Sequence, residues 1–280
     1  MDTSVFLIVI ASAAFHASWN ALLKVGLDRF LTASLMQIGA GALALLALPL
    51  VSPPSPAAWP WLGLSALLHI GYIYCLSRAY HYGELSQVYA IARGSAPFFL
   101  TLASLVLLKD SVSSGQLLGL LLLVSGIWLM ALRRERCNRQ QGPMLFFSLM
   151  TAVFIAGYSF SDGLGARANH SALGYSLWLF AINGVVMSAL LSFKYGAQAF
   201  GLICQHWRAG LGGGALSMIS YSLVIWAMTQ APIALVGALR ETSVVFALLL
   251  GVWLLKEPLR PLRLLACLVI SAGVMLMKLA

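Results

Sequence analysis

Leu107-Leu108-Lys109-Asp110 returns 147 residues further on as Leu254-Leu255-Lys256-Glu257, and the reading of these two stretches decides the fold. The same offset lays Arg93 on Arg240, Tyr74 on Tyr221 and Gly126 on Gly273. Earlier in each half a slightly different shift sets Asn20 opposite Asp162. Matches that share one offset mark an internal duplication. Both stretches lie at the end of a long apolar run, so the duplicated unit is built of apolar runs.

Working outward from that pair, apolar runs separated by polar or Pro/Gly breaks fall at roughly 4–24, 30–51, 58–80, 84–108, 114–132, 143–165, 171–193, 208–229, 232–255 and 259–279. The hydrocarbon core of a bilayer needs about 20 apolar residues per helix, so these runs read as ten transmembrane helices. Composition agrees: 61% of the 280 residues are hydrophobic, 9% are charged, and the mean hydropathy is +0.91. A soluble domain carries about 25% charged residues. So few charges cannot build a water-facing surface, and lipid must be the main solvent. Five spans per half is an odd number, which turns the second half upside down relative to the first. The expected fold is therefore all-α, with ten spans in two inverted five-helix repeats, residues 1–132 and 143–280, joined by a basic loop at 133–142.

The net charge of +9, from 17 basic and 8 acidic residues, does not describe a nucleic-acid binder. Its dense cluster, Arg133, Arg134, Arg136 and Arg139, sits in a short break between two apolar runs, as basic cytoplasmic loops do. The same bias places 133–142 in the cytoplasm and both termini outside, in a cell membrane of the bacterial inner-membrane kind. Met1-Asp2-Thr3-Ser4 lacks the basic start of a cleaved signal peptide. Four scattered cysteines, Cys75, Cys137, Cys204 and Cys267, have no CxxC spacing, so neither a disulfide framework nor a zinc site is expected.

The stretch Ala231-Pro232-Ile233-Ala234-Leu235-Val236 leads into Leu239-Arg240-Glu241-Thr242-Ser243-Val244-Val245-Phe246-Ala247, and Leu255-Lys256-Glu257-Pro258-Leu259 follows. With Phe15-His16-Ala17-Ser18-Trp19-Asn20 in span one and Tyr158-Ser159-Phe160-Ser161-Asp162-Gly163 in span six, the chain resembles the EamA-type family of the drug/metabolite transporter superfamily. The likeness covers both repeats. It implies a ten-helix exporter of small metabolites with a central cavity. The halves differ where Asp110 faces Glu257-Pro258 and where Gly94 faces Glu241. No family-wide substrate carries over.

An ionisable group at the centre of a membrane helix costs about 2.5–3.5 kcal/mol on insertion scales, so each is a functional candidate. His16, Asn20 and Lys24 recur every four residues on one face of span one, with Trp19 beside them. Tyr74, Arg78 and His81 do the same in span three, and Tyr89, Arg93 and Pro97 in span four. Tyr158 and Asp162 belong to span six. In span nine Gly237 and Glu241 share a face, with Arg240 turned about 100° away. The expected cavity lining is His16, Trp19, Asn20, Tyr74, Arg78, Tyr89, Arg93, Tyr158, Asp162, Arg240 and Glu241.

Each has a structural alternative. Lys24, Arg78, His81 and Glu84 lie near span ends, where they can snorkel to water, and His16 can be a neutral hydrogen-bonding residue between helices. Asp162 can cap or pair at the interface, and either arginine can be locked to a carboxylate or to carbonyls. Gly210-Leu211-Gly212-Gly213-Gly214 lacks the strand and the Lys-Ser/Thr of a phosphate loop. Gly210-xxx-Gly214 and Gly115-xxx-Gly119 are better read as close helix-packing faces.

These features favour a monomeric secondary transporter over an enzyme. An enzyme on lipid substrates would need clustered acid/base or metal residues, and eight scattered acids offer no HExxH or acid-rich motif. A non-transporting membrane partner would need an appended domain for which ten spans leave no room. The expectation is export of a small polar metabolite, an amino acid or other organic acid, with no cofactor, no metal and protons as the candidate coupling ion. Export of lipophilic cations is the competing reading.

Overall fold

A computed structural model describes residues 1–22, 29–83, 85–108, 113–131, 141–255 and 261–280. Lys24, Glu84, Lys109, Asp110, the arginines of the basic loop and 256–260 fall outside the described residues, as do the side chains of Asn20 and Tyr89. Every element among the described residues is helical. The first half holds α1 (Thr3–Leu22), α2 (Arg29–Ala47), α3 (Trp59–Tyr82), α4 (Leu85–Ala103) and α5 (Ser114–Ala131). The second holds α6 (Gln141–Ala168), α7 (Ala172–Tyr195), α8 (Gln198–Gln230), α9 (Ile233–Arg240), α10 (Ser243–Leu255) and α11 (Pro261–Leu279). Among the described residues seven helical segments are long and apolar enough to cross a membrane: Phe30–Leu50, Trp59–Tyr82, Ile91–Leu108, Gln141–Ala168, Ala172–Tyr195, Gln198–Gln230 and Ile233–Leu250. Three shorter apolar helices, Thr3–Trp19, Ser114–Leu129 and Leu264–Leu279, accompany them.

Three departures from the expected runs have local causes. The run at 232–255 is two helices, because the chain turns at Glu241-Thr242 between α9 and α10. The eighth helix starts at Gln198 and bends at His206, whose φ of −114° and ψ of 18° are not helical. The fourth carries Pro97, which cannot donate a backbone hydrogen bond, and passes into a π-helical turn at Ser104–Leu108.

Helix α3 packs on α6 and α1 on α8, while α4 packs on α6 and α1 on α9 and α10. The pairs α2–α7, α5–α11 and α4–α9 are also in contact. Glycines set the closest approaches, as the spacing of Gly210 and Gly214 suggests. A Cβ on Gly41 would lie 2.6 Å from the Gly184 Cα, and one on Gly119 would lie 2.6 Å from the Gly273 carbonyl oxygen. Between α2 and α8, a Cβ on Gly214 would meet the Ala40 nitrogen at 2.5 Å and the Met36 carbonyl oxygen at 2.6 Å. Gly212, two residues away, faces open space. Gly214→Ala is therefore expected to destabilise the protein by about 1–3 kcal/mol through overpacking. Gly212→Ala should hold or raise stability, since alanine is the better helix former. Thermal unfolding of the two purified variants in one detergent checks the contrast; equal midpoints would mean that α2 and α8 do not touch this way.

One end of the bundle is clasped by polar groups. Arg167, near the end of α6, donates from Nε to the Met228 carbonyl at 2.8 Å and from Nη2 to the Ala231 carbonyl at 2.9 Å. These carbonyls lie at the C-terminus of α8, where cations are favoured. The Ser55 amide donates to Asn169 Oδ1 at 2.9 Å, and its hydroxyl to the Ala168 carbonyl at 2.8 Å.

Candidate functional site

The eight residues of α9, all of them buried, carry the chain about 12 Å along the bundle. Arg240 ends that helix and is 4% exposed. Glu241, 2% exposed, occupies the turn that follows. Its Oε2 lies 3.0 Å from Arg93 Nε on α4, and its Oε1 lies 3.9 Å from Arg240 Nε. The two arginines equivalent in the sequence repeat therefore converge on one carboxylate. Glu241 follows the last helical residue with φ of −71° and ψ of −8°, still right-handed, and the long Arg240 side chain reaches back towards its carboxylate. The shared face of Gly237 and Glu241 is found: Gly237 packs against the Leu100 side chain while Glu241 meets Arg93, both on α4.

Helix α6 supplies the opposite wall. Tyr158 and Asp162, one turn apart, are both buried. Asp162 is completely enclosed and is not a cap, since its helix runs on to Ala168. Its Oδ2 accepts from the Tyr221 hydroxyl at 2.7 Å and its Oδ1 from the Tyr175 hydroxyl at 3.2 Å. Among the described residues no arginine pairs with this acid directly. Arg240 lies across the Tyr221 ring, its guanidinium carbon 5.2 Å from the centroid, and Tyr158 meets the same ring edge-on with centroids 6.2 Å apart. One tyrosine thus carries the cation on its face and donates to the anion from its edge.

Aromatic groups complete the surroundings. The His69 ring stacks on Tyr158 with centroids 4.1 Å apart, and Tyr72 meets Tyr158 edge-on at 5.9 Å. His69 Nδ1 lies 2.9 Å from the Ser65 carbonyl, which places its hydrogen on Nδ1 and leaves Nε2 as an acceptor when the ring is neutral. From α1, which packs on α9 and α10, the His16 ring meets Trp19 edge-on at 4.9 Å.

Of the residues expected at the site, His16, Trp19, Arg93, Tyr158, Asp162, Arg240 and Glu241 come together. The helices carrying Asn20 and Tyr89 approach it, but those two side chains lie outside the described ones. Tyr74 and Arg78 are not brought in. Tyr74 is 61% exposed, and the exposed Arg78 donates to the Tyr82 hydroxyl at 2.9 Å and lies over the Phe147 ring. The inward face of α3 is Ser65, His69 and Tyr72. Tyr72 is about 200° around the helix from Tyr74, so the two tyrosines point to opposite sides. Ser65, His69, Tyr72, Tyr175 and Tyr221 join the site without being expected there from sequence; the repeat match of Tyr74 to Tyr221 is the one available signal, and only its second member lies here.

Two electrostatic facts define what the site can bind. Arg240 Nε and Nη1 are buried and have no hydrogen-bond acceptor among the described residues, and the same holds for Trp19 Nε1. Buried donors without acceptors are costly, so this corner suits an anion. Asp162, held by hydroxyls, suits a proton or an organic ammonium.

Apolar helices enclosing a buried, charged, aromatic-lined centre make a multi-pass membrane transporter. The EamA-like transporter family model matches residues 3–132 and again 143–279. The chain belongs to that family, within the drug/metabolite transporter superfamily. A solved crystal structure has the same fold, with a TM-score of 0.77 at 18% identity over 100% of this chain and 99% of that one.

Proposed function

We propose that the protein is a secondary transporter that exports small metabolites carrying an acidic group, amino acids first, through the centre of ten spans. The observation that carries this reading is the Arg240 guanidinium, buried with two N–H groups that lack acceptors among the described residues. A bound carboxylate would satisfy such donors in bidentate fashion. Asp162, beyond Tyr221, matches the ammonium of an amino acid.

The ten spans are read as two inverted five-helix repeats, 1–132 and 143–280. The helix pairs support that arrangement. Exchanging the halves turns α3–α6 into α8–α1 and α4–α6 into the contact of α9 and α10 with α1, while α2–α7, α5–α11 and α4–α9 map onto themselves. The two separate family matches support it too. With the positive-inside bias, 133–142 faces the cytoplasm and the termini face out of a cell membrane. The protein acts as a monomer, and Asp162, enclosed and bound by hydroxyls, is the group to carry a coupling proton.

One observation favours the second reading. An acid ringed by Tyr158, Tyr175 and Tyr221 could hold a lipophilic cation. Proteoliposomes loaded with labelled amino acids or with a labelled lipophilic cation separate the two. Efflux of amino acids, faster with an imposed pH gradient, is expected. Efflux of the cation alone would overturn the acidic-substrate reading.

A further inference from the structure

Glu241 joins two features that the transport reading leaves unconnected. The first is a mechanical contrast along the ninth span. Every residue of α9 is buried, and it packs on α4, α1, α8 and α6. Helix α10 is much more open: Val244, Val245 and Phe246 are half-buried and Leu249 is 59% exposed. It packs on α1, and an open apolar groove lined by Ala14, Ser18, Phe246, Leu249 and Leu250 runs along their contact. The join is a tight turn in which Glu241, Thr242 and Val244 donate backbone hydrogen bonds three residues back, to Ala238, Leu239 and Glu241. Turns of this kind inside a helix mark hinges.

The second feature is electrostatic. The Glu241 carboxylate already lies against Arg93 and Arg240, 3.9 Å from one of the two Arg240 donors that lack a hydrogen-bond acceptor among the described residues and that are proposed to take the substrate acid. Two carboxylates this close in a poorly screened interior repel strongly. The residue that would be pushed is the residue at the hinge.

We infer that Glu241 is an internal substitute for the substrate's acid group, and that its displacement from Arg240 by that group releases α10 to swing about the turn at 241–242. The inference rests on the acidic-substrate reading. In it Arg240 is the binding residue and Glu241 a positioning residue that acts through Arg240 and the turn. Helix α9 stays fixed in its buried seat, and α10 moves into the space beside α1.

Glu241→Gln keeps the shape and removes the charge. Two measurements are made on the purified protein. Affinity is read with radiolabelled L-alanine, L-phenylalanine and L-glutamate, alongside KM and the maximal rate in vesicles. Hinge position is read as the distance between spin labels at Leu7 on α1 and Leu249 on α10, both exposed. Glu241→Gln is expected to tighten binding about tenfold or more, lower the maximal rate, and broaden the label distance to include a second value. The second value should also appear in the wild type on adding the amino acid that binds. A residue that only stabilises the fold would not tighten binding while slowing turnover. Unchanged or weaker affinity in Glu241→Gln overturns the inference, and so does an unchanged label distance, whatever the binding result. If Glu241→Gln does not accumulate, Glu241→Asp, with its carboxylate drawn back by one methylene, is expected to give the same changes at smaller size. A wild type that moves only lipophilic cations refutes the acidic-substrate reading by itself, whereas the hinge is judged by comparing the variant with the wild type.

Discussion

Arg240→Ala is expected to cut transport at least about 100-fold while the protein still accumulates and purifies as a single species. Removing one member of a buried charge cluster costs about 2–5 kcal/mol, and each 1.4 kcal/mol is a factor of ten. The loss should be specific to function, because the guanidinium lies against the Tyr221 ring and Glu241, and its Nε and Nη1 bond no backbone carbonyl among the described residues. Arg240→Lys keeps the charge but not the planar fork that binds a carboxylate, so an intermediate loss of about tenfold is expected. Arg93→Ala should damage transport less. Flux in proteoliposomes, normalised to reconstituted protein, checks the series. A folded Arg240→Ala protein that transports at the native rate would remove Arg240 from the site. Failure to accumulate would assign it a structural role.

Asp162→Asn should be the second large effect. The amide oxygen can still accept from one of the two tyrosine hydroxyls that now donate to separate carboxylate oxygens, and the amide NH2 can donate to the other once that hydroxyl rotates, so the fold is kept while the charge at that position is lost. Transport is expected to fall about 100-fold, by the same cost of an unanswered buried charge, here that of the substrate ammonium. The neighbours should follow in order of bond length. Tyr221→Phe removes a 2.7 Å bond and leaves the ring beneath Arg240; Tyr175→Phe removes a 3.2 Å bond. A neutral hydrogen bond is worth about 0.5–1.5 kcal/mol and one to a charged group about 1.5–3 kcal/mol. Both bonds go to the Asp162 carboxylate, so losses of about 100-fold for Tyr221→Phe and, for the longer bond, about tenfold for Tyr175→Phe are expected. Equal rates for wild type and Asp162→Asn would separate the acid from transport altogether.

The charged members of the site are legible in the sequence because lipid makes them expensive. Arg93, Arg240, Glu241 and Asp162 stand out in apolar runs, and the cost of burying them is enough to imply a role. The repeat offset adds that the two arginines are equivalent. What the sequence does not carry is the direction each helix faces. In water a helix announces its inner side by its apolar stripe; in lipid both sides are apolar, so the Tyr74–Arg78 face of α3 and the Ser65–His69–Tyr72 face look equally plausible. Neutral polar residues such as Tyr175 and Ser65 carry too small an insertion cost to stand out. The turn at Glu241-Thr242 is hidden for a different reason. It contains neither proline nor glycine, and it is held by an ion pair with a residue on another helix, which no local pattern reports.

The convergence of Arg93 and Arg240 on a single acid also bears on how such a chain arises. Two identical half-length chains, associated about a two-fold axis, would bring together two arginines with either no acid or two, because any residue on one copy is also on the other. Joining the halves into one polypeptide lifts that restriction. Glycine at 94 leaves room for Ile127, whose Cγ2 would sit 2.8 Å from an added Cβ, while glutamate at 241 answers both cations. A single counter-ion between paired cations is an arrangement open to a fused gene and closed to a homodimer.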